Sequence, residues 1–202
     1  MQIIEIINKN IAEGKTRFTF ELLPPLKGEG TEGIFTAIDA LAEYDPAYIN
    51  ITNQREVVKY IEREGGLLEK RVYRHRPGTV GISSAIMKRY GIEVVAHMIC
   101  GGMSRYDIED SLIDLDFLGI NNVLALRGDN LSDEKRFTPH GQGHGNACEL
   151  VEQITAMNNG VFLDGEVEQT HQSRFCIGVA GYPEKHAEAP NLETDIEYLK
   201  KK

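Results

Sequence analysis

Glu21 lies between Phe20 and Leu22-Leu23-Pro24-Pro25. A carboxyl among apolar neighbours loses water, which favours its protonated form and suits a proton donor near neutral pH. The alternative is a glutamate that caps the following loop or pairs with a lysine. Arg127-Gly128-Asp129 sets a fixed cation, a backbone without Cβ and a carboxylate in consecutive positions. The guanidinium suits a phosphate and the glycine lets a ligand approach the main chain, although an internal Arg–Asp pair would use the same residues structurally. His97, within Val95-Ala96-His97-Met98, reads as a hydrogen-bonded core histidine close to a strand end. Tyr182-Pro183-Glu184-Lys185-His186 supplies a ring, a cation and an imidazole in five residues. That set can hold a planar ring and its phosphates, or can be a plain βα turn whose proline opens a helix.

Other chemistries find less support. His140 and His144 lack a carboxylate or cysteine at ligand spacing, so a polar loop is expected there and no metal. No Gly-x-Ser-x-Gly elbow is present, and Cys100 has no evident partner for nucleophilic work. Cys100, Cys148 and Cys176 read as buried thiols of a reducing compartment. Gly28-Glu29-Gly30 follows two prolines and lacks the third glycine of a dinucleotide fingerprint, so it reads as a turn.

The elements that must position these groups alternate along the chain. Five apolar runs each end in a polar cluster: Phe18–Glu21, Tyr48–Thr52, Val94–His97, Val123–Asp129 and Ile177–Tyr182. Continuous Val/Ile/Leu runs mark strands buried on both faces, and parallel α/β sheets gather reactive groups where their strands end. Between the runs lie helical stripes: Ile34, Ile38 and Leu41 behind a Thr31 cap; Val80 to Tyr90; Ile108, Leu112 and Leu115 behind a Ser104/Asp107 cap and stopped by Gly119; and Leu150, Val151, Ile154 and Met157 closed by Gly160. Val57 to Leu68 is expected as helix and Lys70 to Gly78 as loop. A long polar loop spans Asn130 to Gly145, a charged stretch spans Asp164 to Gln172, and a last helix starts near Asn191. The fold expected is α/β, a (β/α)8 TIM-barrel type with about five of its eight βα units in a single domain over residues 1–202. An open doubly wound sheet shares the alternation but wants the missing phosphate loop.

Charge and targeting bound the partners. Lys plus Arg number 22 and Asp plus Glu 31, so the net charge is 22 − 31 = −9. This argues against nucleic acid or an anionic membrane surface and leaves any phosphate to a local basic pocket. The opening Met1–Asn8 carries an acid and no basic lead, unlike a secretory signal, and no run is long enough to span a bilayer. A cytoplasmic protein acting on small molecules is expected.

Four segments, in order, resemble the signatures of the methylenetetrahydrofolate reductases: Phe18-Thr19-Phe20-Glu21-Leu22-Leu23-Pro24-Pro25, Val95-Ala96-His97-Met98-Ile99-Cys100, Leu124-Ala125-Leu126-Arg127-Gly128-Asp129, and Ala180-Gly181-Tyr182-Pro183-Glu184-Lys185-His186-Ala187-Glu188-Ala189. The resemblance implies a barrel that holds FAD, takes hydride from NADH or NADPH and passes it to 5,10-methylenetetrahydrofolate, giving 5-methyltetrahydrofolate for methionine synthesis. It implies Glu21 as the acid that opens the folate imidazolidine ring and Asp129 as the charge beside flavin and folate. Thr52, His97, Arg127, Gly128, Asp129, Ala147, Tyr182, His186, Asp195, Lys201 and Lys202 match FAD-binding positions. Asn53-Gln54-Arg55 replaces a Tyr-Gly-Ala stretch, and the segment from Arg55 to Gly91 is unmatched. Five strands against the family's eight imply a chain lacking the C-terminal third of the barrel, and a homo-oligomer for the complete protein.

Overall fold

The five apolar runs become five parallel strands in a computed structural model that describes residues 1–131, 134–165 and 171–202. In chain order the elements are α1 (Ile3–Ala12), β1 (Thr19–Leu22), α2 (Glu32–Ala42), β2 (Tyr48–Ile51), β3 (Val57–Arg63), β4 (Leu67–Tyr73), α3 (Thr79–Tyr90), β5 (Val94–Ile99), α4 (Arg105–Phe117), β6 (Asn122–Leu126), α5 (Ala147–Asn158), β7 (Cys176–Val179) and α6 (Leu192–Lys201). The main sheet runs β1-β2-β5-β6-β7, every pair parallel, so each new strand is added beside the previous parallel one. Among the described residues, no helix is long and apolar enough to cross a membrane.

The two faces of this sheet differ. Successive residues of a strand point to opposite faces. Ile49, Ile51, Val94, Ala96, Met98, Val123 and Ala125 share one face and are buried. They join a core with Ile38 of α2, Ile86 of α3, Ile108 and Leu112 of α4, and Leu150 and Ile154 of α5. The opposite face carries Glu21, Asn50, Leu124, Leu126 and Gly178, exposed or half-buried, while Val95, His97 and Ile99 of the central strand are buried on it. Helices cover one side and leave the other open.

Caps explain several helix ends. Ser104 Oγ accepts from the Asp107 amide at 3.1 Å while Asp107 accepts from the Ser104 amide at 2.8 Å, the reciprocal box its sequence predicts. Gly119, at φ +74°, turns the chain out of α4. Thr31 occupies the N-cap position of α2, but its side chain makes no capping hydrogen bond. Gly28 lies in a turn, as expected, and Gly30 just beyond it, both at positive φ.

Two segments depart from the sequence expectation. Val57 to Leu68 is no helix: β3 and β4 form an antiparallel hairpin from Val57↔Tyr73 to Arg63↔Leu67. Strand thus also replaces loop at residues 70–73. Val57, Val58, Tyr60 and Ile61 favour a pleated backbone, and Gly65 and Gly66, at φ +83° and +73°, reverse the chain between the strands. The N-terminal segment, read only as an apolar stretch, is helix α1. It docks at the starts of β5, β6 and β7, where the Ile3 amide donates to Asn122 Oδ1 (2.8 Å), Gln2 Nε2 to the Arg174 carbonyl (3.0 Å), and the terminal ammonium pairs with Glu93 (2.5 Å). Part of the Asn130–Gly145 loop and most of the Asp164–Gln172 stretch lie outside the described residues.

Candidate active site

The strands β1, β2 and β5 bring Glu21, Thr52 and His97 to one corner of the open face. Thr52 follows β2 and fastens it to β1, its amide donating to the Leu22 carbonyl at 3.1 Å and its hydroxyl reaching the same oxygen at 3.4 Å. Glu21 is not enclosed by its apolar neighbours: its side chain is 61% exposed. Period-two alternation sends Phe20 and Leu22 to the helix-covered face, in register with buried Ile49 and Ile51, and turns Glu21 the other way. Beside it stands His97, whose Nε2 lies 3.8 Å from Glu21 Oε2. His97 is buried, and Nε2 has no hydrogen-bond partner, so it is not the satisfied core histidine its context suggested. Burial pushes the imidazole below its ordinary value, and the Glu21 carboxylate opposes this only in part.

A second group follows β6. Arg127 forms a two-pronged ion pair with Glu188, at 2.5 and 3.1 Å, rather than with Asp129. Donating to Glu188 holds the guanidinium charged more firmly, and in return Arg127 holds the Glu188 carboxyl below the usual range. Arg127 also lies over the Phe137 ring, 4.9 Å from its centroid, and Arg55 lies 5.4 Å from the same ring. Arg55, 10% exposed, pairs with Glu134 at 2.6 Å and donates to the Asp129 carbonyl at 3.2 Å. Sequence reasoning passed over Arg55 as an anchor of the Asp129 loop. Its position in the short segment between β2 and β3 was the available signal. Gly128 adopts φ +88°, and a Cβ there would come within 3.3 Å of the Ile99 side chain. Asp129 is exposed at this strand end. β2 and β5 separate β6 from β1, which puts Asp129 and Glu21 at strand ends roughly 14 Å apart along the sheet at the usual interstrand spacing.

The segment after β7 folds onto α6. Tyr182 and His186 meet edge to face at 4.9 Å, and the His186 amide donates to Asp195 Oδ2 at 2.7 Å. Pro183 does not open a helix; α6 starts after Asn191, whose side chain accepts from the Thr194 amide at 2.8 Å. Lys185, at φ +109°, spends its ammonium on the carbonyls of His186 (2.8 Å) and Ala189 (2.7 Å). Lys202 Nζ donates to the Ala180 carbonyl at 3.2 Å, and Lys201 lies 5.2 Å from the Tyr198 ring centroid. Ala147 opens α5 behind the Asn146 cap.

Residues outside this rim have structural partners. His144 is buried with its Nε2 2.5 Å from Gln153 Oε1, and the Gln142 amide donates to His140 Nδ1 at 3.3 Å. Cys100 is buried and its thiol is pushed up to about 12 by desolvation, whereas Cys148 and Cys176 are only half-buried, contrary to expectation. The basic segment beneath the hairpin is tied to the β1 rim: Arg76 donates to the Pro24 carbonyl, the Lys27 amide donates to the His75 carbonyl (2.7 Å), and Arg74 pairs with Glu56 (2.9 Å). A cavity of about 580 Å³ opens beside it, lined by Arg55, Arg76, Met98, Gly101 and Met103 among others.

The arrangement offers a shallow platform with chemistry at its edge. Leu124 and Leu126 are half-buried on the open face, and Gly178 leaves it bare, since a Cβ there would fall 3.1 Å from Leu124. A flat aromatic group laid on this platform would lie between Glu21, Thr52 and the buried His97 ring at one side and the Arg127–Asp129 turn at the other. These residues fit a flavin, an apolar ring with hydrogen-bonding edges, better than a compact ion.

Comparison with known proteins agrees with the motif order. The family profile described as methylenetetrahydrofolate reductase matches residues 6–202. A probable methylenetetrahydrofolate reductase (NADH) of Oryza sativa subsp. japonica is 29% identical over 211 residues, covering 100% of this chain and 31% of the rice protein. Methylenetetrahydrofolate reductase 2 of Saccharomyces cerevisiae is 30% identical over 192 residues, covering 94% of this chain and 27% of its own. The 5,10-methylenetetrahydrofolate reductase of Pectobacterium carotovorum subsp. carotovorum is 28% identical over 200 residues, covering 98% and 55%. The chain thus spans between about a quarter and just over half the length of these relatives, and it belongs to the methylenetetrahydrofolate reductase family.

Proposed function

We propose that the chain carries FAD on the open face of its sheet and reduces 5,10-methylenetetrahydrofolate to 5-methyltetrahydrofolate with NADH or NADPH. The observation that carries this is the corner where an exposed carboxyl, Glu21, stands 3.8 Å from a buried imidazole nitrogen with no partner. A carboxyl proton donor beside a buried imidazole at the edge of a largely apolar platform suits a ring ligand that passes hydride to a substrate whose nitrogen must be protonated.

In this reading Glu21 gives its proton to the folate nitrogen whose C–N bond opens, leaving a carboxylate that solvent reprotonates through its exposed side. Asp129 supplies negative charge near the pterin. Thr52, His97, Arg127 and Gly128 hold the ring, and Ala147, Tyr182, His186, Asp195, Lys201 and Lys202 hold the rest of the cofactor. Bound there, the flavin supplies two-electron hydride storage between nicotinamide and folate. The five strands, added in sequence with helices on one side, are then five βα units of an eight-stranded barrel, the remainder of which would cover the open face. We place the complete protein in the cytoplasm as a homo-oligomer.

The test is optical. The purified chain is incubated with FAD, desalted and titrated anaerobically with NADH and separately with NADPH. Retained yellow colour that bleaches with one nucleotide and returns on adding 5,10-methylenetetrahydrofolate is expected. A chain that takes up no flavin, or whose reduced flavin ignores the folate, would remove the reading.

A further inference from the structure

We propose that Arg55 is a positioning residue for Asp129: from the segment between β2 and β3 its guanidinium holds the main chain of the Arg127–Asp129 turn and of the loop behind it, and so fixes where the Asp129 carboxylate stands at the rim. The inference rests on the reading of Asp129 as the negative charge near the pterin and adds to it the group that sets its direction.

One guanidinium gathers one loop. Among the described residues Asp129 is held through its carbonyl, and no hydrogen bond or ion pair takes its exposed carboxylate, which therefore points where its backbone sends it. That carbonyl accepts from Arg55 Nη1 at 3.2 Å. The same guanidinium makes a two-pronged pair with Glu134, at 2.6 and 3.3 Å, and its Nη2 donates to the Thr138 carbonyl at 3.5 Å. Glu134 in turn accepts from the Leu131 amide at 3.1 Å, so the main chain at 129, 131 and 138 is tied to a single side chain. Arg55 is nine-tenths buried, and its planar fork suits several acceptors at once in a way that the compact ammonium of a lysine does not. The arm reaches the loop past Gly101, where a Cβ would stand 2.5 Å from Arg55 Cδ and 2.8 Å from Nε. Gly101 also donates its amide to the Arg127 carbonyl at 3.1 Å. The end of β5 thus leaves room for Arg55 and braces the same turn through its own backbone.

The experiment compares the wild type with Arg55→Lys, Gly101→Ala and Glu134→Gln. Arg55→Lys keeps the charge and loses the fork. Gly101→Ala keeps the guanidinium and pushes its arm aside; Gly101 is not at positive φ, so the backbone itself accepts alanine. Glu134→Gln keeps an acceptor for Arg55 and for the Leu131 amide and leaves the Asp129 bond in place. The first readout needs no cofactor: residual dipolar couplings report the directions of the Gly128 and Asp129 N–H bonds. Arg55→Lys and Gly101→Ala should each reorient them, with the couplings at Glu21 unmoved, while Glu134→Gln stays at the wild-type values. Unchanged directions in Arg55→Lys and Gly101→Ala would overturn the proposal. The second readout is the split between half-reactions of the FAD-loaded chain. Arg55→Lys should slow the folate step about tenfold and leave reduction by nicotinamide nucleotide within about twofold of wild type, a split that general loosening of the fold would not produce. Both steps slowed alike, or a folate step at the wild-type rate, would also overturn it. A wild type that takes up no flavin would remove the earlier reading, and the couplings would still decide whether Arg55 holds the turn.

Discussion

Arg127 is a proposed flavin contact whose guanidinium is already held in an ion pair, and replacing Glu188 with Gln should release it. The pair is bidentate at 2.5 and 3.1 Å, but the Glu188 side chain is 51% exposed and that of Arg127 26%. Solvent screening therefore limits it to about 0.5–1 kcal/mol. A flavin that needs the guanidinium must first break this pair, so its removal should tighten FAD binding about two- to fivefold. The dependence on pH follows from the same contact. Arg127 depresses the folded-state Glu188 carboxyl, so the pair is complete above the ordinary carboxylate range and is lost as pH falls through the depressed value. Wild type and Glu188→Gln should differ at neutral pH and converge in acid. Titrating FAD against its own fluorescence at a series of pH values reads both effects. Equal or weaker binding by Glu188→Gln at neutral pH would refute the idea that Arg127 is held back from the cofactor.

The two faces of the sheet should respond differently to truncation. Ile51→Ala, on the covered face and fully buried, should cost about 3–4 kcal/mol in chemical denaturation, while Leu124→Ala on the open face should cost about 1 kcal/mol. Equal losses would mean that the open face is packed after all. Gly66→Ala forces a side chain onto φ +73° at the hairpin tip and should cost about 1–2 kcal/mol of local stability, seen as faster amide exchange in β3 and β4 with the main sheet unaffected. Because burial lowers the folded-state His97 value, its neutral form contributes stability above the ordinary imidazole range that is lost as pH falls through the lowered value. His97→Gln should flatten that part of the stability–pH curve measured by urea melts.

The strand framework was legible because each run was long enough to declare itself. Val94–Ile99, the middle strand of the sheet, is buried at every position, those on the open face included, and Ser104 with Asp107 marked a helix start by spacing alone. Val57–Leu68 misled because Val57, Ile61 and Leu68 also satisfy helical spacing; the Gly65-Gly66 turn and the β-branched pair Val57-Val58 carried the better signal. The environment of Glu21 was misread because sequence neighbours on a strand are not spatial neighbours. The Arg127–Glu188 pair lay beyond any spacing rule, since 61 residues and a further strand separate its members. Likewise His97 could be placed at a strand end, but its missing hydrogen bond is a property of three adjacent strands.

The central claim is that Glu21 protonates folate and takes no part in the nicotinamide step. The FAD-loaded Glu21→Gln chain, reduced by nicotinamide nucleotide and then mixed anaerobically with 5,10-methylenetetrahydrofolate, separates the two half-reactions in one stopped-flow trace. Reduction at the wild-type rate followed by flavin that stays bleached is the predicted result. Recovery of the yellow colour at the wild-type rate would contradict the account.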